Sequence, residues 1–211
     1  MSDRAYWCGV AGLIGALFVG IGEGLLQLQP GADYGDPNYA YLGAVSASRQ
    51  VAGYWMSVLG APLYVLGYWH LTRNLAPDKP RLRAGLFALM AYAFIIATVW
   101  IGQRIFIAEA VRSAPDMVAR FSELNEPLVN VLRIAILVFS AAWIWLIASG
   151  QSRYPRWLAL FSPAALLAVI FAIYLAAPSV GQWALPTAMN TAHFIVFALS
   201  LLTLRRVSKP A

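Results

Sequence analysis

Four ionisable side chains lie inside long apolar stretches of this sequence: Glu23, Arg104, Arg133 and His193. A charge in hydrocarbon is expensive, so such residues usually face a protein interior or a water-filled cavity and serve a function. A desolvated carboxylate can exchange protons, an unperturbed histidine titrates near neutral pH, and arginines bind carboxylate or phosphate groups. Together these residue types indicate acid/base chemistry on a molecule with a polar or anionic head group.

Helical spacing places these residues at similar depth. At 1.5 Å per helical residue, Glu23, Arg104 and Arg133 lie about 28, 31 and 30 Å from the nearest basic residue on the opposite side of the membrane. By the same measure, Asn190 and His193 lie at about 22 and 18 Å. All five therefore fall in one half of the bilayer, which we expect to be the outer half.

The neutral polar residues at this depth complete a predicted pocket that opens outward above apolar walls. We expect Glu23 and His193 to act as catalytic acid and base. The expected substrate-binding residues are Arg104, Arg133, Asn190, Asn130, Gln103 and Tyr54. His70 lies three residues from Arg73, so it is expected at the inner membrane interface, and the inner half of the bundle is expected to be nearly free of polar groups.

The elements that must position these residues are six apolar runs, each near the 20 residues that cross about 30 Å of hydrocarbon. They predict an all-α, polytopic membrane protein in which residues 1–211 form a single domain, with six transmembrane helices in one bundle. The predicted spans are Ala5–Leu28, Val51–Leu71, Ala84–Ile107, Leu128–Ala148, Trp157–Ala177 and Thr187–Leu204.

Composition supports membrane residence. Of the 211 residues, 61% are hydrophobic and 11% are charged, whereas a soluble domain carries about 25% charge. These values exclude an ordinary soluble enzyme, a disordered chain and a coiled coil. The lone Cys8 excludes a disulfide framework and a thiolate metal cluster, and two histidines at different depths make no haem or metal site. We therefore expect no metal, no cofactor and no nucleic-acid partner; the expected partners are the lipid bilayer and an amphipathic small molecule or lipid.

Basic residues predict the orientation. Ten lysines and arginines fall on the side that holds both termini, and three fall on the other side, at Arg49, Arg112 and Arg120. Since basic residues stay on the cytoplasmic side, both termini are expected to be cytoplasmic. Two outer loops follow, at residues 30–50 and 114–127. The first is interpreted either as a lid or as a passive interfacial loop, and the second as a short amphipathic helix on the outer surface.

Three functions remain open from the residues alone. The first is an enzyme doing isomerisation, cyclisation or hydrolysis on an amphipathic, isoprenoid or lipid-like molecule. The second is a proton-coupled transporter, and the third is a non-catalytic membrane protein that binds a lipid or a partner. The partner of Glu23 is also open, between Arg104, Arg133 and His193, and a purely structural ion pair is one alternative. The spacing indicates no oligomeric state.

Four short segments resemble a known family. They are Gly20-Ile-Gly-Glu-Gly-Leu-Leu, Gly60-Ala-Pro-Leu-Tyr-Val-Leu-Gly, Tyr154-Pro-Arg-Trp-Leu-Ala-Leu-Phe-Ser-Pro and Asn190-Thr-Ala-His. The chain is similar, over most of its length, to uncharacterised bacterial integral membrane proteins that are known only as a domain of unknown function. The resemblance implies a six-helix protein of the bacterial inner membrane. It implies no substrate and no catalytic residues, although its segments include Glu23, Asn190 and His193.

Overall fold

A computed structural model describes residues 3–36 and 38–207, except for the side chains of residues 205–207. This part of the chain contains helices and turns and no strand, so the all-α prediction is confirmed. The α-helices are α1 (Asp3–Gln27), α2 (Ala47–Leu75), α3 (Pro80–Ser113), α4 (Val118–Ala148), α5 (Pro163–Ala176), α6 (Pro178–Gly181) and α7 (Ala188–Val207). Single 3-10 segments lie at Ala40–Ala44, Pro115–Met117, Arg156–Phe161 and Leu185–Thr187.

Four helical segments in the described residues are long and apolar enough to cross a membrane: Asp3–Gln27, Pro80–Ser113, Pro115–Ala148 and Leu185–Leu204. They indicate an integral membrane protein. The other two predicted spans differ from these four for separate reasons. α2 has 29 residues, but its inward face carries Gln50, Ser57 and His70, which lower its hydropathy. α5 is apolar, but it has only 14 residues.

Local sequence explains where several helices begin and end. Pro80 opens α3, at a position where its missing N–H group costs nothing. Ser162 caps α5: its side-chain oxygen accepts a hydrogen bond from the Ala165 N–H at 3.2 Å, and Pro163 follows at the first helical position. Gly150 follows α4 with a φ of 74°, a left-handed conformation that glycine adopts without steric cost.

The long helices pack in a ring in which α1, α2, α3 and α4 are sequential neighbours, and α5 and α7 close it between α4 and α1. We call one end of this bundle the cavity end; it holds Gln27, Arg104 and Glu126. The opposite end, called the turn end, holds the α2–α3 turn and the turn after α4, where the Arg153 N–H donates to the Asn74 carbonyl at 2.9 Å. Large aromatic side chains fill the core between the two ends, among them Trp143, Tyr64, Tyr68, Phe139 and Phe197.

Glycines allow α1 and α2 to approach closely. A Cβ atom added at Gly12 would lie 2.5 Å from the Cα of Gly67, and one added at Gly22 would lie 2.7 Å from the carbonyl oxygen of Gly53. Small residues permit such contact in lipid, where burial of apolar surface drives little association. The tight pair fixes the height of Glu23, which follows Gly22 directly, relative to α2.

Two expectations need correction. The segment predicted as a separate amphipathic helix, residues 114–127, contains the 3-10 turn Pro115–Met117 and then the first turns of α4, which continues through Pro127. His70 was expected at the membrane interface, but it is fully buried. Its Nδ1 lies 2.7 Å from the Ala5 carbonyl oxygen and its Nε2 lies 2.8 Å from the Ser200 hydroxyl. The turn end therefore contains buried polar groups that the expectation of an apolar inner half missed.

Candidate functional site

A cavity of about 500 Å³ lies at the cavity end. Such a volume falls within the range of about 300–1,000 Å³ that is usual for small-molecule sites. Its walls come from α1, α3, α4, α5, the start of α7 and the segment between α1 and α2. The polar side chains that line it are Glu23, Gln27, Tyr34, Asp36, Tyr39, Tyr41, Arg104, Ser122, Glu126 and Arg133, together with the indole of Trp100.

Glu23 is the buried carboxylate of this cavity; it is 6% exposed. The Asn190 amide Nδ2 donates a hydrogen bond to Glu23 Oε2 at 2.5 Å. Asn190 Oδ1 in turn accepts from the Tyr64 hydroxyl at 2.5 Å. Among the described residues no cation lies within ion-pair distance of Glu23. The structure therefore hydrogen-bonds Glu23 to an amide, and Arg104, one of the three partners considered from the sequence, acts on its charge from beyond ion-pair distance.

Arg104 is the buried cation of the cavity. Its Nη1 donates to Gln27 Oε1 at 2.8 Å, and its Nη2 lies 3.9 Å from Glu126 Oε1. The guanidinium also lies over two aromatic rings, 4.4 Å from the Trp100 centroid and 4.9 Å from the Tyr39 centroid. Because two aromatic rings and the Gln27 amide hold the guanidinium of Arg104, its position is fixed without a direct bond to Glu23.

The segment between α1 and α2 covers the cavity. Tyr39 has a φ of 51°, a left-handed conformation that costs a non-glycine residue free energy and is found where surrounding contacts hold it. Its hydroxyl donates to Glu126 on α4. Burial raises the pKa of Tyr39 to about 12, and the hydrogen bond to Glu126 adds to this shift while the charge of Arg104 opposes it. The contact fastens the covering segment to the far wall.

Two buried hydrogen-bond donors in the cavity wall have no partner within the described part of the chain: Arg104 Nε and Trp100 Nε1. More than nine-tenths of Arg104 is buried. A buried donor without an acceptor costs about 1–3 kcal/mol, so proteins rarely keep one without a reason. Both donors belong to residues that line the cavity, so a ligand oxygen there could accept from them.

A second, smaller cavity of about 30 Å³ adjoins Glu23 on its apolar side. Its surface is almost entirely apolar, although the residues that line it include Glu23, Asn190, Tyr64, Trp100, Ser57 and Thr98. This volume has room for a water molecule, which needs two to four polar partners. The arrangement can therefore hold a carboxyl group between a polar cavity and a water-sized space.

His193 lies outside this arrangement. It is fully buried, its Nδ1 lies 2.6 Å from the Met189 carbonyl oxygen, and its Nε2 lies 2.6 Å from the Tyr68 hydroxyl. Since a carbonyl only accepts, Nδ1 must carry the proton and Nε2 must accept from Tyr68. Phe94 packs edge-on against the imidazole, with ring centroids 5.4 Å apart. The structure thus joins His193 to the aromatic core and not to Glu23.

The remaining predicted site residues are divided between the cavity and its surroundings. Arg133 lines the cavity, and its Nη1 donates to Asn130 Oδ1 at 3.0 Å on the exposed side of α4. Gln103 and Tyr54 are half-buried and absent from the described lining of the cavity. The Tyr54 ring packs against Trp55, with centroids 5.3 Å apart.

A model of a family of unknown function (DUF6796) matches residues 4–207. The chain belongs to this family. No curated protein and no solved structure matches the chain. The resemblance to a domain of unknown function is thereby confirmed, while the function has to be argued from the site itself.

Several residues that line this cavity are absent from the candidates predicted from the sequence. Tyr39 and Tyr41 from the covering segment, Glu126 from α4 and Trp100 from α3 all line the cavity. A signal existed for Glu126, because it lies on the same helical face as Asn130 and Arg133. The tyrosines gave a weaker signal, since aromatic residues in a loop are equally typical of a membrane interface.

Proposed function

We propose that this protein is a membrane enzyme that performs acid/base chemistry on an amphipathic small molecule bound in the 500 Å³ cavity. The observation that carries the proposal is the buried Glu23 carboxylate in the same cavity wall as two unpartnered donors, Arg104 Nε and Trp100 Nε1. The reaction class is isomerisation, cyclisation or hydrolysis, because each of these can proceed by proton transfer at a carboxyl group.

Glu23 is the proposed proton-transfer group. It borders both the polar cavity and the water-sized space beside it. Ionisable residues in such positions inside a membrane are functional candidates, because an unused carboxylate there would only cost stability. Asn190 orients the carboxylate through its hydrogen bond and is proposed as a positioning residue. A catalytic role for His193 stays a prediction, and its two hydrogen bonds leave it no free nitrogen for a substrate.

Arg104 and Trp100 are the proposed substrate-binding donors. A carbonyl, ester or phosphate oxygen between Arg104 Nε and Trp100 Nε1 would satisfy both orphaned groups. Donors held in place before the reaction stabilise negative charge that develops on such an oxygen, and this is often the largest single contribution to catalysis. Substrate oxygen and Glu23 would then share one cavity, as general acid/base catalysis requires.

The proposal includes six membrane spans with both termini cytoplasmic. α2 is long enough to cross the bilayer, and the apolar side chains on its outer face, among them Trp55, Leu59 and Leu66, are exposed. α5 alone covers about 21 Å at 1.5 Å per residue, so the preceding 3-10 segment Arg156–Phe161 would complete its crossing. Basic residues at the turn end lie over tryptophan rings, as with Lys79 over Trp145 at 4.9 Å, which is typical of a membrane interface.

The family resemblance and the basic turn end support the proposed location. A bacterial inner membrane with a cytoplasmic turn end would place the cavity on the outer side. The proposal predicts that a cysteine introduced at exposed Ser48, next to the cavity end, reacts with a membrane-impermeant maleimide in intact cells. A cysteine in place of Asp78, in the α2–α3 turn, should react only after the cells are opened.

A paired comparison of variants tests the enzymatic role. The protein in lipid nanodiscs is incubated with a bacterial polar lipid and isoprenoid extract, and the extract is compared before and after by mass spectrometry. We expect a component to be converted by the wild type and by Glu109→Gln, an exposed control on α3, and conversion to fall at least about 100-fold in Glu23→Gln. Equal conversion by Glu23→Gln would contradict the proposal, as would an extract that no form of the protein changes.

A proton-coupled transporter is the second candidate, and one observation favours it. Buried polar groups continue along α2 and α7 below Glu23, through Tyr64 and the Tyr68–His193 pair to His70 and Ser200 near the turn end. A carrier requires polar groups along a path through the bilayer. Uptake into proteoliposomes that depends on a pH gradient and is lost in Glu23→Gln would support this candidate over the enzyme. Binding without conversion or uptake would instead indicate a non-catalytic lipid-binding protein.

A further inference from the structure

The cavity wall between α4 and α5 contains side chains that also reach the surface of the bundle. Arg133 and Phe171 line the cavity, yet Arg133 is exposed and Phe171 is 50% exposed. Leu167 lies between them in the same wall and is partly buried. A side chain that faces both the cavity and the exterior marks the place where the two are continuous. We call Arg133, Leu167 and Phe171 the side opening.

We infer that the ligand is an anionic amphiphile, which enters from the bilayer through the side opening and whose carboxylate or phosphate group binds Arg133. This inference rests on the proposed function, because it assumes that the cavity holds a ligand. It adds the route of access, the charge of the ligand and the residue that selects it.

The route is supported by the weak attachment of α5. Within this helix only Pro163 and Ile170 are buried. Leu175 is 78% exposed and Val169 is 56% exposed, and both face away from the other helices. At 14 residues, α5 is also the shortest of the helices that close the ring. Since few buried side chains hold α5 in place, it is weakly attached to α4.

The charge of the ligand is supported by the surroundings of Arg133. This residue lies near the middle of α4, one of the four helices that are long and apolar enough to span a membrane. Its hydrogen-bond partner among the described residues is the neutral amide of Asn130, and it takes part in none of the described ion pairs. A guanidinium without a carboxylate partner is suited to an anionic ligand, because it binds carboxylate and phosphate groups in two-pronged geometry.

Arg104 provides the contrast within the same cavity. Its charge faces Glu126 at 3.9 Å, and aromatic rings cover it. Arg104 is therefore already balanced by a carboxylate, whereas Arg133 is not. The anionic group of an amphiphile would stay at Arg133, and its apolar chain would lie along Leu167, Phe171 and Val129. The adjoining polar atoms of the molecule would reach the donors near Glu23.

Binding of defined probes tests the inference. Radiolabelled oleate and radiolabelled oleyl alcohol are titrated separately against the protein in nanodiscs of neutral lipid, and unlabelled inorganic phosphate is then added as a competitor of oleate. We expect oleate to bind at least about tenfold more tightly than oleyl alcohol, and inorganic phosphate not to compete, because the chain as well as the charge is recognised. Competition by inorganic phosphate at the same concentration as oleate would overturn the membrane route, since it would indicate a site for soluble anions.

Variants distinguish the opening from the rest of the site. Arg133→Gln should remove the preference for oleate over the alcohol, and Arg133→Lys should restore part of it. Arg120→Gln, an exposed arginine on the same helix that pairs with Glu123 at 3.4 Å, should leave the preference unchanged. Leu167→Trp, which narrows the opening, should slow association of both chain-bearing probes. Unchanged oleate preference in folded Arg133→Gln protein would overturn the inference.

The two proposals can fail independently. In one outcome, Glu23→Gln loses lipid conversion while Arg133→Gln keeps the wild-type preference for oleate. This result would support the proposed enzyme and contradict the proposed entry through the side opening. If oleate binds through Arg133 but no form of the protein converts a lipid, the result would support entry through the side opening and contradict the proposed enzymatic function. A thermal unfolding curve for each variant confirms that a lost signal reflects the site and not a loss of folding.

Discussion

The two ends of the bundle both bury polar side chains, but only the turn end satisfies all of those that it brings together. At the turn end, His70 Nδ1 bonds the Ala5 carbonyl, His70 Nε2 accepts from Ser200, and the Ser200 oxygen lies 2.7 Å from the Tyr154 hydroxyl. At the cavity end, Arg104 Nε and Trp100 Nε1 have no acceptor among the described residues. A completed network stabilises a fold, whereas an incomplete one beside a cavity indicates a missing ligand.

The comparison also separates the two histidines from Glu23. His70 and His193 each bond one backbone carbonyl and one side-chain hydroxyl, and each is fully buried. Neither presents a free nitrogen to the cavity. Glu23 accepts a hydrogen bond from the Asn190 amide and borders open volume. Chemistry is therefore expected at the carboxylate, and stability is expected from the histidines.

The largest effect should follow from breaking the completed network. His70→Leu removes both hydrogen bonds of the imidazole and leaves the Ser200–Tyr154 pair incomplete in a buried position. We expect the free energy of unfolding to fall by about 2–4 kcal/mol, since each buried group left unpaired costs about 1–3 kcal/mol. Denaturant titration in mixed micelles, followed by tryptophan fluorescence, measures this change.

A milder variant calibrates that result. Ser200→Ala removes one of the two imidazole partners and should cost less than His70→Leu, about 1–2 kcal/mol. Oleate binding should be retained in both variants where they remain folded, because the network is distant from the cavity lining. If His70→Leu unfolds at the same denaturant concentration as the wild type, the completed network at the turn end does not stabilise the fold.

A matched pair of tryptophans gives the next largest effect. Trp143 is fully buried and its Nε1 donates to the Leu158 carbonyl at 3.0 Å, whereas Trp100 Nε1 has no partner in the described residues. Trp143→Phe should lower the free energy of unfolding by about 1–3 kcal/mol. Trp100→Phe should change it by less than about 1 kcal/mol and should weaken ligand binding instead. If Trp100→Phe lowered the free energy of unfolding more than Trp143→Phe does, the unpartnered N–H of Trp100 would not indicate a ligand-binding site.

The distance of each polar residue along its helix from the basic residues at the membrane edge predicted part of the site and could not predict the rest. Glu23, Arg104, Asn190 and Arg133 were expected at one level, and the structure brings all four to adjoining cavity walls. Each is an uncommon residue in an apolar run, so its position along the helix is informative. His193 met the same criteria but lies on the face of α7 that enters the aromatic core. Depth along a helix is readable from sequence, whereas the rotation of that helix depends on packing.

The fold shows a similar division. The apolar runs predicted where helices lie, because about 20 apolar residues form a helix in a membrane. The run around His70 was read correctly as helical, yet the burial of this side chain inside the bundle was not predicted. Its burial depends on Ala5 and Ser200, which are 65 and 130 residues away in sequence. Likewise, Pro127 was taken to end the second outer loop, but α4 begins before it at Val118.

The smallest effect concerns the segment that covers the cavity. The pKa of Tyr39 is raised from 10.0 to about 12, first by burial. Between about pH 10 and pH 12 the unfolded chain therefore loses this proton while the folded chain keeps it, so the contribution of Tyr39 to stability is complete below pH 10 and declines as pH rises through this window. Tyr39→Phe cannot titrate. The stability difference between wild type and Tyr39→Phe, measured by thermal unfolding, should thus be constant from pH 8 to about 10 and then shift steadily against the wild type.

Tyr92→Phe, which removes an exposed hydroxyl on α3, serves as the control. A difference that stays flat to pH 12 would mean that Tyr39 is solvated, and the covering segment would then be a loose loop and not a closed lid over the cavity.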